Sequence, residues 1–165
     1  MTPQQVRDYV RYNWSYMGGT VRSVGRINQT GEVFTPTSLA QEMIDQFPEA
    51  YIKNTVFRDT SCGDGQLLSE ILIKKVELGV TFETAITQVI GCDIMSINVE
   101  LCRKRLSCGN VKYYEILKKQ IVIGNALDCL ADVEDQTETD KLQMIDLFGG
   151  DIDKLLERVK NLVKI

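Results

Sequence analysis

The chain has 165 residues, of which 44% are hydrophobic and 25% charged, enough for one domain with a buried core and too few for two. It contains no histidine, which excludes Ser-His-Asp and Cys-His nucleophilic chemistry, and no apolar run of the roughly 18 residues that a membrane helix needs. The net charge of −4 is unevenly spread: Arg7, Arg11, Arg22 and Arg26 against Asp8 give residues 1–30 a charge of +3 and leave −7 for the rest, so bulk coating of nucleic acid is excluded.

In chain order, Thr2-Pro3 with Gln5 predicts an N-cap, a proline in the first helical position and a capping box. Val6, Tyr9, Val10, Trp14 and Met17 continue at helical spacing to Gly18-Gly19. A polar loop follows. Thr35-Pro36 then starts a second helix with Leu39, Ala40, Met43, Ile44 and Phe47 as its apolar face, and Pro48 stops it. NTVFRD predicts a strand, and Leu67, Leu68, Ile71, Leu72 and Val76 the buried stripe of a helix. TFETAI adds a short helical piece before the strand TQVIGCDI. Ser96 is expected to cap the next helix, whose inward face is Val99, Cys102 and Leu106. KQIVIGNAL predicts a third strand, KLQMIDLF a fourth, and a last helix begins at Asp151, after the acidic loop ADVEDQTETDK.

Cys62, Cys92, Cys102, Cys108 and Cys129 form no C-x-x-C pair, so no zinc site is expected, and reduced thiols in a cytoplasmic setting are. MTPQQVRDYV carries no charged-then-apolar signal pattern, so export is not expected. The organisation expected is an N-terminal helix and loop over 1–30 and an α/β domain over 31–165. Alternating strands and helices with apolar strands argue for a mostly parallel sheet of about four strands, covered by helices on both faces. Ligands of such sheets sit beyond the carboxyl ends of the strands.

Three segments fall at those ends. In DTSCGDG, Gly63 and Gly65 allow a tight turn and close approach to a ligand, and Asp59 can receive a cation or a donor. No Lys-Ser or Lys-Thr follows as in a P-loop, and Leu68 stands where a dinucleotide fingerprint has its third glycine. Asp64 would repel a phosphate, so a ligand without a pyrophosphate fits better; an unliganded strand-to-helix turn is the alternative. In GCDI, Asp93 can take two hydrogen bonds from a ribose diol and Ile94 can lie against an adenine, or Asp93 simply caps a helix. In GNAL (Gly124 to Leu127), Asn125 offers a donor and an acceptor that could read an adenine edge, or is an ordinary turn residue.

With TGEVFTP, these segments resemble the cofactor-binding half of the adenine-specific DNA methyltransferases of restriction-modification systems, type I modification subunits included. Gly31, Val33, Phe34, Thr35 and Pro36 match the family's G-x-[VF]-[FY]-T-P. Asp59, Cys62, Gly63, Gly65, Leu67 and Leu68 match D-P-x-C-G-x-G-x-[FL]-L, and Gly91, Asp93 and Ile94 match G-x-D-I. NVELCRKRL is similar to the helix A-x-x-L-A-x-x-R-L, and order and spacing agree from Gly31 to Leu127.

The resemblance implies a Rossmann-like fold, truncated, and S-adenosylmethionine as ligand. Thr35 and Asp59, flanked by Phe34 and Pro36, would hold its amino-acid end, and the loop Cys62, Gly63 and Gly65 its backbone side. Asp93 would hold the ribose, and Ile94 with Asn125, Ala126 and Leu127 the adenine. The family usually has aspartate where Asn125 stands. Its catalytic N-P-P-[YF] should close the fourth strand, but here LQMIDLF runs into Gly149-Gly150-Asp151, and no residue is assigned a catalytic role.

Three roles follow: a minimal DNA adenine methyltransferase or the cofactor-binding part of one, a catalytically silent binder of S-adenosylmethionine, or a structural protein that keeps the fold without ligand. In strand order 3-2-1-4 the fourth strand would be an apolar edge to be covered by the last helix, a second copy or a partner subunit, and association is expected for that reason. DNA would be met through a partner or through the N-terminal arginines, and no membrane is expected.

Overall fold

The computed structural model describes residues 1–12 and 35–126, all within one compact unit. The expected fourth strand and last helix, Trp14, Met17, Phe34, Leu127 and Phe148 lie outside the described residues.

The chain opens with α1 (Pro3–Arg7), and the predicted capping box is present: the Gln5 amide donates to Thr2 Oγ1 at 3.2 Å and the Thr2 amide to Gln5 Oε1 at 2.9 Å. The helix then widens into a π-helical stretch, Asp8–Tyr12, and Val6 and Val10 are fully buried. The second helix, α2, runs Thr37–Asp45, with Pro36 just outside its first turn. Only Ala40 and Ile44 of its predicted apolar face are buried. Leu39 and Met43 stay 46% and 44% exposed, a difference from the sequence reading, because α2 meets α4 along one narrow stripe. Pro48 ends this region and begins α3 (Glu49–Asn54), a short helix that the sequence pattern did not reveal.

Three parallel strands follow the expected order. β1 (Phe57–Asp59) pairs with β2 (Val89–Asp93), Asp59 opposite Gly91, and β2 pairs with β3 (Ile121–Ile123), Asp93 opposite Ile123. Between β1 and β2 run α4 (Gln66–Glu77) and α5 (Phe82–Thr87); between β2 and β3 run α6 (Ser96–Leu106) and α7 (Val111–Gln120). The chain is therefore α/β, with crossovers that return every strand in one direction. All three carboxyl ends lie at one edge of the sheet.

The core is built around α4, which contributes Leu68, Ile71, Leu72, Ile73 and Val76 and packs against α1, α2, α3, α5 and α6. Such a helix, buried almost all round, also has to bury Ser69, Glu70 and Lys75. Lys75 is fully buried at the amino ends of the strands, where its Nζ donates to Ile52 O at 2.5 Å, Thr55 O at 2.7 Å and Gln88 Oε1 at 3.0 Å. The same ammonium lies 5.3 Å from the Phe57 ring centroid.

α7 is the second helix missing from the sequence reading. Asn110 caps it, accepting from the Lys112 amide at 2.9 Å, and Tyr113 packs edge-on against Phe82. It passes straight into β3, so no turn residue separates the two. No described helix is long and apolar enough to cross a membrane.

Candidate ligand site at the carboxyl ends of the strands

β1 ends at Asp59, whose Oδ1 accepts from the Ser61 amide at 3.1 Å and turns the chain. The loop is next fastened to β2: the Cys62 amide donates to Cys92 O at 2.9 Å, and the Cys92 thiol donates to Thr60 O at 3.2 Å. Gly63 and Gly65 follow with φ of +53° and +84°, the left-handed region that favours glycine. At Gly65 a second constraint applies, since an added Cβ would lie 2.6 Å from Cys102 Sγ. Gly65 therefore lets the loop close onto α6 behind it.

The Cys62 thiol also turns inward, into the space left by Gly91, where an added Cβ would sit 3.0 Å from its sulfur. A hydrogen bond with Cys102, then burial, hold the Cys62 thiol far above its ordinary range, so it stays protonated. Both sulfurs pack the underside of the turn.

Asp93 closes the turn from the second strand. Its Oδ2 accepts from the Gly63 amide at 3.0 Å, while Oδ1 accepts from the Met95 amide at 2.8 Å and Asn98 Nδ2 at 3.2 Å. Asp93 thus braces the approach to α6 through the Met95 amide and the Asn98 side chain; Met95 stands at the N-cap without a side-chain bond, and Ser96, expected to cap, occupies the first helical position. A carboxylate has about four lone-pair directions, so these three donors leave Asp93 room for one hydroxyl more readily than for two.

Asp59 differs. It is half-buried at the adjacent strand end, and burial raises it above the usual carboxylate range; the Ser61 amide offsets part of that rise and the negative Asp93 adds to it. A carboxylate in that condition gains most from a cationic partner.

The other expected site residues fall around this turn. Ile94 is 71% exposed, and Ile123, opposite Asp93 in the sheet, is also exposed, so apolar surface flanks the acid. The Gly124 amide donates to Asp93 O at 3.1 Å, which brings Asn125 (exposed) and Ala126 (half-buried) to the same edge. Gln66 Nε2 donates to Thr37 Oγ1 at 3.1 Å and draws the start of α2 to the start of α4, with Thr35 and Pro36 immediately upstream. Phe34 and Leu127 are outside the described residues.

The charged groups singled out in the sequence are placed as follows. Asp64, expected to repel a phosphate from the loop, is 1% exposed and paired with Arg105 Nη1 at 3.2 Å, so its charge is met by a cation inside the fold. Arg7 and Arg11 are ion-paired with Glu77 and Glu70, and Arg22 and Arg26 lie outside the described residues. Sequence reasoning also missed Arg105, Asn98 and Cys102 as supports of the loop. Their spacing of four and three residues on one face of α6 was the available signal.

A separate cleft of about 190 Å3 lies between Asp8–Tyr12, α2 and α4, lined by Arg11, Gln41, Asp45, Glu70 and Lys74 among others. Its charges are paired with one another, Arg11 with Glu70 and Lys74 with Asp45 at 3.3 Å, and none of the expected site residues lines it. Comparison with protein-family models, with curated proteins and with solved structures finds no match.

Proposed function

We propose that this chain binds S-adenosylmethionine at the carboxyl edge of its sheet, as a cytoplasmic relative of the DNA adenine methyltransferases with a Rossmann-like fold. One observation carries the reading: a glycine turn, a desolvated aspartate and a second strand-end aspartate converge at the edge where parallel sheets hold ligands. Asp59 meets the ligand's ammonium, with Thr35 beside it. The Cys62–Gly65 backbone lies along the methionine chain, Asp93 accepts from a ribose hydroxyl, and Ile94 gives the adenine an apolar face whose edge Asn125 reads. When bound, S-adenosylmethionine supplies an electrophilic methyl group on a sulfonium; the chain's own residues orient it and counter its charge.

A second reading, a catalytically silent binder, has a specific observation in its favour. The segment LQMIDLF runs into Gly149-Gly150-Asp151 where the family carries N-P-P-[YF]. A partner subunit would supply the missing motif for methyl transfer by the family's route, and would also bring the target DNA. A second copy of the chain remains the other candidate to cover the sheet edge.

Calorimetric titration with S-adenosylmethionine tests the ligand. Wild type is expected to bind and Asp93→Ala to lose binding, whereas a wild type without binding heat overturns both readings. A tritiated-methyl transfer assay on unmethylated DNA, with the chain alone and with the proteins encoded beside it, then separates a methyltransferase part from a silent binder.

A further inference from the structure

The glycine turn is flexible by composition, yet each of its central residues is held from a different side. Gly63 is held through its amide by Asp93, and Gly65 through its own amide to Cys62 O at 2.8 Å and its contact with Cys102. Asp64, between them, is held by Arg105. That arginine is 2% exposed and sits on the buried face of α6 with Asn98 and Cys102.

Its guanidinium joins two segments of the chain through three partners. Nη1 pairs with Asp64 at 3.2 Å, Nη2 donates to Gln66 Oε1 at 2.6 Å, and Nε donates to Val10 O at 3.1 Å. Gln66 passes the constraint on to Thr37. The planar fork of arginine suits two acceptors in fixed directions with a carboxylate beside it, which a lysine ammonium on a flexible stem cannot reproduce. Stability alone is a poor explanation, because a buried ion pair is commonly no better than apolar side chains of similar volume. A fixed geometry is the better one.

We propose that Arg105 is a positioning residue for the cofactor loop, setting Asp64 and Gln66, and hence the backbone of Gly63–Gly65, in the ligand-ready conformation. The residues at Val10 serve as its fixed anchor. The identity of the ligand rests on the function proposed above; the positioning of the loop does not.

A second ion pair, with its carboxylate buried, supplies the control. Glu70, in α4, is paired with Arg11 and accepts from Gln41 at 3.2 Å, partners that lie outside the loop. Arg105→Met, Arg105→Lys and Glu70→Gln are compared in the full chain by amide hydrogen exchange at Gly63, Asp64 and Gly65, thermal melting, and S-adenosylmethionine titration. Arg105→Met is expected to speed exchange in the loop and to weaken binding by about tenfold or more, within the usual span of coupling between linked sites. Arg105→Lys, which keeps the charge and loses the fork, falls between Arg105→Met and wild type. Glu70→Gln melts lower but keeps loop exchange and affinity within about twofold of wild type.

Loop exchange in both Arg105 variants equal to that in wild type overturns the proposal. So does a loss of affinity in Glu70→Gln that matches theirs at equal loss of stability. If Arg105→Met does not fold, Arg105→Lys decides by the same readings. If wild type binds no S-adenosylmethionine, the function falls, and loop exchange still decides the role of Arg105.

Discussion

The two ends of the sheet bury charge in opposite ways. At the amino ends a single cation, Lys75, is surrounded by two carbonyls, an amide oxygen and an aromatic ring, and nothing there is left for a ligand. At the carboxyl ends an aspartate closes each of two neighbouring strands, Asp93 two residues beyond the partner of Asp59, beside a left-handed glycine turn, and burial raises Asp59. The first arrangement closes a fold. The second is the proposed site, and the two ends differ in the balance of partners around the buried charge, not in buried charge itself.

Removing the closed end should have the largest effect on stability. Lys75→Met leaves Ile52 O, Thr55 O and Gln88 Oε1 without their shared donor, and a loss of about 4 kcal/mol is expected from denaturant unfolding. Affinity for S-adenosylmethionine in the folded fraction should not change, and a parallel loss of affinity would blur the contrast.

Gly65→Ala comes next, at about 3 kcal/mol by the same measurement, since it combines positive φ with a contact against Cys102. Unlike the lysine variant, it should also abolish ligand binding. Asp93→Asn removes the charge from three hydrogen bonds and is expected to cost about 2 kcal/mol while loosening Gly63.

A pH series sharpens the same comparison. Burial pushes Lys75 down to about 8 from 10.5, so between these values the unfolded state binds more protons and this residue's contribution to stability rises with pH. Cys62 and Cys108, the latter pushed up to about 12 by burial, pull the other way above 9. The difference between wild type and Lys75→Met isolates the lysine: the gap should narrow as pH falls from 10.5 towards 8.

The smallest effect on stability is expected at Asp59. Its raised value means that stability falls as pH rises through the native titration, so Asp59→Asn should melt slightly higher at neutral pH. Its binding of S-adenosylmethionine should nonetheless weaken about tenfold, as expected for one charged hydrogen bond.

Much of this plan was legible locally. The Thr2-Pro3-Gln5 cap, the three strands in their order and the buried stripe of α4 all follow from spacing and side-chain chemistry between near neighbours. What escaped was either too short or too distant. α3 buries only Ile52 and α7 only Tyr113 and Leu117, so neither shows a clear period. The pairing of Asp64 with Arg105 spans 41 positions and leaves no trace in either neighbourhood. The sequence reads Asp93 as a ribose acceptor or a cap; the fold uses it to clamp Gly63 and the Met95 amide ahead of α6, a double task visible only once Gly63 is placed beside it.

The claim that the carboxyl ends are the ligand end is tested most directly by NMR titration of amide shifts with S-adenosylmethionine. Shifts are expected at Gly63, Gly65, Asp93, Ile94 and Asn125, with Ile52, Lys75 and Gln88 unmoved. Saturable shifts clustered at the amino ends, or none at all at millimolar ligand, about a hundredfold above a 10 μM Kd, would contradict it.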